Sequence, residues 1–427
     1  MSDSAPEPSG LPHPSVPTSL AGDSRRFFAR TEWGLFAAIV IVLLLTTLLD
    51  RDHNYYKNPL PHAINILRQT AFLGIFALGA AVVIIAGGID LSSGSVIAFS
   101  GSLCAMLLAL LAPEAVKESR EIGLGVIALA IAGTLLAGLL VGSFHAWLIT
   151  VVRLPPFVAT LATLVGLRSL ARVLMESVTR NIWGSVKSQI DIADPQFKQI
   201  TLDVRIPIAL FAVLALLTWV LMSRTVIGRR LHALGGNEQA AKLSGIRTDN
   251  LKWLAYSLSA VLASLVGVLY VSDTTTANPQ SLGRGYELNA IAAAVVGGCS
   301  LQGGVGTISG LVLGVLFLRT VVYGVGTIIK TNAEAYEGLI VGGVVVVAVA
   351  LTQLRQVRQQ GKRFFPGTLG WVTVLNLAIL TAALVMVVYP TPSGEPPMYA
   401  GIAGGAALAI LGLFRFLEAR RRDGSKP

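Results

Sequence analysis

Charge is scarce in this chain: 13% of its 427 residues are Asp, Glu, Lys or Arg, about half the ~25% usual in soluble domains. An ordinary soluble globule is therefore excluded. Cysteine is nearly absent. Cys104 and Cys299 both lie in apolar surroundings at no metal or redox spacing, so they read as buried structural residues rather than a disulfide frame or a zinc site. The patterns GxxxxGK[ST], HExxH and GxSxG are missing, as is any Cys/His cluster. The chain thus carries no usual ATP-binding loop, no recognisable hydrolase or metal site, and no expected cofactor of its own. Sustained period-two alternation is missing too, which excludes a membrane barrel. The net charge of +10 is not a nucleic-acid signature, because no basic helix with interleaved aromatics carries it.

What is present is apolar sequence in long runs: 53% of residues are hydrophobic and mean hydropathy is +0.69. Runs near the ~20 residues that cross a bilayer as a helix recur along the chain. They are placed at Gly34 to Leu49, Ala63 to Gly87, Leu91 to Leu111, Ile122 to Val151, Phe157 to Leu174, Ile206 to Met222, Leu251 to Val271, Leu288 to Leu301, Gly306 to Ile328, Tyr336 to Leu354, Gly370 to Tyr389 and Tyr399 to Phe414. The expected fold is an all-α polytopic bundle with ten core spans plus a C-terminal two-helix hairpin. Residues 1–33, with five prolines, read as a polar, disordered cytoplasmic tail. Residues 34–354 form the core, with a cytoplasmic loop at 223–250. A linker at 355–368, the hairpin at 369–414 and a basic tail at 415–427 follow.

Basic residues gather in four places: Arg25 to Arg30, Arg224 to Arg247, Arg355 to Arg363, and Arg415 to Lys426. The positive-inside rule puts all four in the cytoplasm, so both termini are expected there, and an even number of crossings must separate them. Six, four and two crossings satisfy this. The short, Gly-rich segment Leu288 to Leu301 is needed for the parity and is read as a crossing or a broken helix.

Asp90 sits where a carboxylate is expensive, in "GGIDLSSG", Gly87 to Gly94. The pattern GGxxLxxG returns in "GGCSLQGG", Gly297 to Gly304. Paired glycines loosen a helix, so Gly87, Gly88, Gly297 and Gly298 are candidate breaks. Weak internal repeats with interrupted helices mark transporters whose pathway runs between the repeats. Asp90 and Ser92 can cap the next helix, and intramembrane carboxylates are also functional by default. Capping and lining a polar path can be one role.

At these residues the chain resembles the permease subunits of bacterial ABC importers for ribose, xylose and related monosaccharides. The resemblance continues through "LPPFVATLATLVGLRSLA", "GRRLHALGGNEQAAKLSGI" and "GYELNAIAAAVVGGCSLQGGVGTISG", in order, and covers about Asn65 to Leu354. It implies an inner-membrane permease that works with a second copy of itself, an ABC ATPase subunit that binds the ATP, and an external sugar-binding protein. Candidate pathway residues are Asp90, Ser92, Ser95, Phe157, Thr160 and Asn289. "LRTVVYGVGT", Leu318 to Thr327, departs from the family's usual stretch, which leaves the sugar open.

In the loop Gly228 to Ile246, Gly235 and Gly236 are expected to break the chain, Asn237 to cap a short helix "EQAAKL", and Gly245 to end it. By charge alone this is an ordinary basic loop. The resemblance implies that it docks into the ATPase, through Glu238, Ala240 and Ala241.

The remaining motifs have local readings. Pro155 and Pro156 start a helix. Thr160 and Thr163 back-bond to it or meet substrate. His145 is a packed hydrogen-bonding residue. Arg168 and Arg319 face the interior, snorkel, or find a carboxylate such as Asp90, Glu287 or Glu337. "GLLVG", Gly138 to Gly142, and "GLVLG", Gly310 to Gly314, allow close helix contact. The rival readings are an ABC permease for a furanosyl signal or a branched-chain amino acid, and an ion-driven secondary transporter with Asp90 as its ion site.

Overall fold

The computed structural model describes residues 20–50, 54–329, 337–344, 346, 350, 368–388 and 398–423. Residues 355–367 of the expected linker 355–368, and nine of the nineteen residues of the span expected at Tyr336 to Leu354, lie outside them. The chain divides into two units, Met1–Val345 and Val346–Pro427. In the first unit the helices are α1 (Leu20–Leu49), α2 (Asn54–Lys57), α3 (Pro59–Ile85), α4 (Ser93–Leu111), α5 (Pro113–Lys117), α6 (Leu124–Thr150), α7 (Pro156–Trp183), α8 (Pro195–Leu202), α9 (Arg205–Arg224), α10 (Val226–Gly236), α11 (Glu238–Leu243), α12 (Thr248–Thr274), α13 (Tyr286–Val296) and α14 (Ile308–Ile329), with α15 over residues 337–344. Two strands of two residues, β1 (Ile190–Asp191) and β2 (Thr276–Ala277), pair antiparallel. The second unit holds α16 (Leu369–Val388) and α17 (Met398–Asp423).

Among the described residues nine helices are long and apolar enough to cross a membrane. Their ends follow local chemistry. Pro156 opens α7 at a position where a missing N–H costs nothing, and Gly184, in the left-handed region at φ +69°, closes it. Two expected boundaries move. Residues 20–33, read from sequence as tail, are helical and continue into the first span, and α17 runs on through residues 415–423. A helix already nucleated by an apolar span extends at little cost into flanking residues that tolerate helix.

α3 is central: every residue from Thr70 to Ile85 is buried. α12 packs against α3, α4 and α6. Glycine permits the α6 contact, because a Cβ on Gly142 would lie 2.6 Å from Ser257 Cα and 2.7 Å from the Tyr256 carbonyl. Gly314 does the same for α14 against the C-terminus of α13, where a Cβ would come 2.8 Å from Gly297 N. Both small-residue motifs are packing devices.

The segment Leu288 to Leu301 is a broken helix. α13 has 11 residues, about 16 Å of rise, or half of a ~30 Å hydrocarbon layer. Residues 275–285 lead to its start. There Gly283 and Gly285 take φ of +63° and +79°, and Gly283 packs against Gly94 and Ile97 of α4. Arg168, halfway along α7, holds this segment by donating to the carbonyls of Pro279 (2.7 Å) and Leu282 (2.9 Å). The partners of Arg168 are thus backbone carbonyls of an interrupted crossing, the arrangement that lets irregular backbone survive at membrane depth.

Candidate functional site

Asp90 is 3% exposed. α3 ends at Ile85, Gly87 turns the chain at φ +83°, and α4 begins at Ser93. In between, Asp90 Oδ1 accepts the backbone N–H of Ser92 (2.9 Å) and its hydroxyl (2.5 Å), and Oδ2 accepts the hydroxyl of Ser259 on α12 (2.7 Å). Ser92 is the residue preceding α4 but makes no side-chain cap bond to it. The aspartate therefore closes the turn before the helix, and Ser92 serves as its donor.

Bonds to polar neighbours carry on from there. Ser95 donates to the carbonyls of Ser92 (2.7 Å) and Thr163 (3.2 Å), and His145 Nε2 lies 2.8 Å from Thr163 Oγ1. Thr160 bonds back to Pro156 (3.0 Å) and reaches the Ile89 carbonyl (3.3 Å). One buried network thus ties α4, α6, α7 and α12 around the carboxylate, and charge-assisted bonds are its strongest members.

At the end of the bundle away from α10 and α11 lies a cavity of about 620 Å³. α3 contributes Asn65, Arg68, Gln69 and Phe72; α12 gives Tyr270 and Asp273; α13 gives Tyr286; α14 gives Arg319, Val322, Tyr323, Gly326 and Thr327; α15 gives Glu337. Its charges are paired. Arg68 meets Asp273, and Arg319 donates to Glu337 at 2.8 Å, with Asn289 donating to the same oxygen at 2.8 Å. Tyr270 sits between Phe72 and Tyr286, with ring centroids 5.0 and 5.1 Å apart. A neutral chamber with planar polar forks and aromatic faces is suited to a small polyhydroxylated molecule, whose hydroxyls take the forks and whose C–H face takes a ring.

A second cavity, of about 290 Å³, lies at the other end, between the close of α3, α10, α11 and α12. Here Asn237 caps α11 by accepting the Ala240 N–H (2.9 Å), and Gly245 follows the helix at φ +77°. Ala241 is buried under α11. Glu238 accepts from Lys242 of its own helix and from Lys252 of α12, each at 2.8 Å. Partial burial opposes ionisation of Glu238, but the two ammonium groups outweigh it and hold the carboxyl below its usual range. Gly235 differs from expectation. α10 continues through it to Gly236, and the chain turns at Asn237. Instead of breaking a helix, Gly235 leaves room for other backbones.

The pathway residues read from sequence do not gather in one place. Asp90, Ser92, Ser95 and Thr160 share the buried network, and Asn289 joins the large cavity's edge through Glu337. Phe157 is half exposed on the first turn of α7. The cavity's own lining, Arg68, Tyr270, Asp273, Tyr286 and Tyr323, went unread. Its residues are scattered over separate helices, and the only trace in the sequence is a charged or aromatic residue near the same end of each.

Comparison with known proteins follows this geometry. Residues 62–349 match the model of the family described as branched-chain amino acid transport system / permease component. The ribose import permease protein RbsC of Escherichia coli K12 is 32% identical over 343 residues, 78% of this chain and 98% of that one. The ribose import permease protein RbsC of Bacillus subtilis is 33% identical over 74% of this chain and 91% of its own length. The galactose/methyl galactoside import permease protein MglC of Salmonella typhimurium is 32% identical over 77% and 96%. No solved structure matches. The interrupted helices, the repeated glycine turns and these likenesses agree: the chain belongs to the branched-chain amino acid transport system / permease component family, as a polytopic membrane permease.

Proposed function

We propose that this permease is the membrane subunit of an ATP-driven importer for a monosaccharide. The observation that carries this reading is the 620 Å³ cavity, whose ion pairs cancel and whose remaining lining offers amides, hydroxyls and stacked rings. A sugar delivered by an external binding protein enters there. The chain works as two copies, and an ABC ATPase docks on α11 from the cytoplasm, where the basic residues Arg224, Arg229 and Arg230 also lie in sequence. ATP is bound and hydrolysed by that partner. Ribose and galactose permeases are about equally similar to this chain, so the proposal stops at the monosaccharide class.

An ion-driven transporter using Asp90 is disfavoured by geometry. Both carboxylate oxygens are occupied by serine donors, and Asp90 lines neither of the two cavities. The test is gentle purification of the full chain, identification of what comes with it, and uptake of labelled ribose and galactose by proteoliposomes holding the recovered complex. Uptake that needs ATP inside the binding-protein-free compartment and survives ionophores is expected. Uptake that follows a proton or sodium gradient without ATP sinks the proposal.

A further inference from the structure

Three separate stretches of backbone meet at four glycines. A Cβ on Gly303 would lie 2.6 Å from Gly87 Cα and 2.7 Å from the Gly235 carbonyl oxygen. One on Gly304 would lie 2.7 Å from Gly236 Cα, and one on Gly87 would lie 3.2 Å from Gly235 Cα. One on Gly235 would overlap the Ile85 carbonyl and stand 2.5 Å from Gly304 N and 3.0 Å from Gly87 N. The Gly304 N–H donates to the Ile85 carbonyl at 2.9 Å, and His232 of α10 places Nε2 3.3 Å from the Gly306 carbonyl. Gly87, Gly303 and Gly304 all take positive φ, between +74° and +84°. The end of α3, the end of α10 and the second glycine turn are therefore in backbone contact, with no flexible side chain between them to absorb a displacement.

From this contact we infer that Gly87, Gly235, Gly303 and Gly304 form a rigid joint that carries movement of α10 and α11 to both GGxxLxxG turns together. The inference rests on the proposed docking of an ATPase at α11 and adds the route inward. From the first turn the movement reaches Asp90 and so α4 and α12. From the second it reaches α13, whose other end begins beside the large cavity at Tyr286. The four glycines are positioning residues: none touches substrate, and each acts through the turn it belongs to. Interfaces packed this closely shift between discrete arrangements rather than bending gradually.

Neighbouring glycines supply the control. A Cβ on Gly236 meets nothing within 4 Å, while one on Gly235 meets three backbone atoms, and both residues sit in the last turn of α10. In the complete importer reconstituted into proteoliposomes, Gly235→Ala should leave ATP hydrolysis near normal but lower the sugar moved per ATP by about tenfold, the scale of a coupling defect. Gly236→Ala should match the unaltered protein. Normal sugar movement per ATP in Gly235→Ala overturns the joint. A second measurement leaves the glycines intact: spin labels at Arg229→Cys and Leu301→Cys, both exposed positions on α10 and the second turn, should keep their separation within about 2 Å between nucleotide-free and ATP-bound states. A larger change means that the two segments slide, and the joint is not rigid. Glu238→Lys separates the two levels of the argument. If it uncouples transport while Gly235→Ala does not, the joint alone fails; if it too is silent, the docking reading fails and the joint falls with it.

Discussion

The turns at Gly87 to Gly94 and Gly297 to Gly304 share one pattern and one local device, yet they carry different loads. In the first, Asp90 accepts the N–H two residues on, from Ser92; in the second, Ser300, at the matching position, accepts the N–H of Gln302 at 3.2 Å. The first has one glycine at positive φ, Gly87 at +83°, and the second has three, Gly298 at +90°, Gly303 at +84° and Gly304 at +74°. The difference in load lies in the side chain. The carboxylate of Asp90 has a second oxygen that reaches across to Ser259 on α12, whereas the Ser300 turn is closed by backbone, with Ser300 donating to Val305 at 2.9 Å and Gly303 donating to Ser300 at 2.9 Å. The pattern makes a break in a helix, and the charge makes that break a fastening point between helices.

The largest effect expected from this contrast comes from alanine at the two matching positions. Asp90→Ala removes an acceptor of three hydrogen bonds and strands the buried hydroxyls of Ser92 and Ser259, a loss of about 3 kcal/mol or more. Ser300→Ala removes one half-exposed bond, at about 1 kcal/mol or less. Thermal unfolding of the purified chain in detergent checks both. Equal losses would erase the distinction between the turns.

Much of this was readable in the residues, and what was not had a physical reason. Apolar run length located the spans, because a bilayer fixes helix length. The glycine pairs marked interruptions, and Asn237 with Gly245 bracketed α11, because capping is local chemistry. Gly235 was misread, because its neighbours Ile85 and Gly304 are far away in sequence, and only their approach explains why no side chain stands there. For the same reason the cavity stayed hidden: Arg68 and Asp273 pair across 205 positions, and nothing local to either names the other. Asn289 pointed toward the cavity only by way of Glu337.

A smaller effect sharpens the comparison at the glycines. Gly87→Ala and Gly303→Ala each force a left-handed conformation on a side chain, at about 1–2 kcal/mol. At Gly87 the new Cβ would sit 3.2 Å from Gly235 Cα, whereas at Gly303 it would sit 2.6 Å from Gly87 Cα and 2.7 Å from the Gly235 carbonyl oxygen, so Gly303→Ala should lower the unfolding temperature more. The reverse order would deny the second turn its closer backbone contact.

The smallest effect is one of pH at α11, beside both turns. Because Glu238 is held below its usual value, its contribution to anchoring α11 on α12 is complete above the ordinary carboxylate range. It is lost as pH falls through the depressed value. Hydrogen exchange of α11 amides, corrected for the intrinsic pH dependence of amide exchange, should therefore be unchanged from pH 7 to about 5 and rise only at still lower pH. In Glu238→Gln the acid-induced rise should disappear. A rise that begins near neutrality in the unaltered chain would assign the anchor to another group.

The most direct test of the account is Asp90→Asn in the reconstituted importer. Asparagine keeps one oxygen for the Ser92 N–H and loses the charge, so a fastening role predicts an assembled, somewhat less stable complex that still moves sugar in proportion to ATP hydrolysed. An assembled complex of normal stability in which Asp90→Asn alone abolishes sugar movement would contradict it, and would place the carboxylate on the transport path.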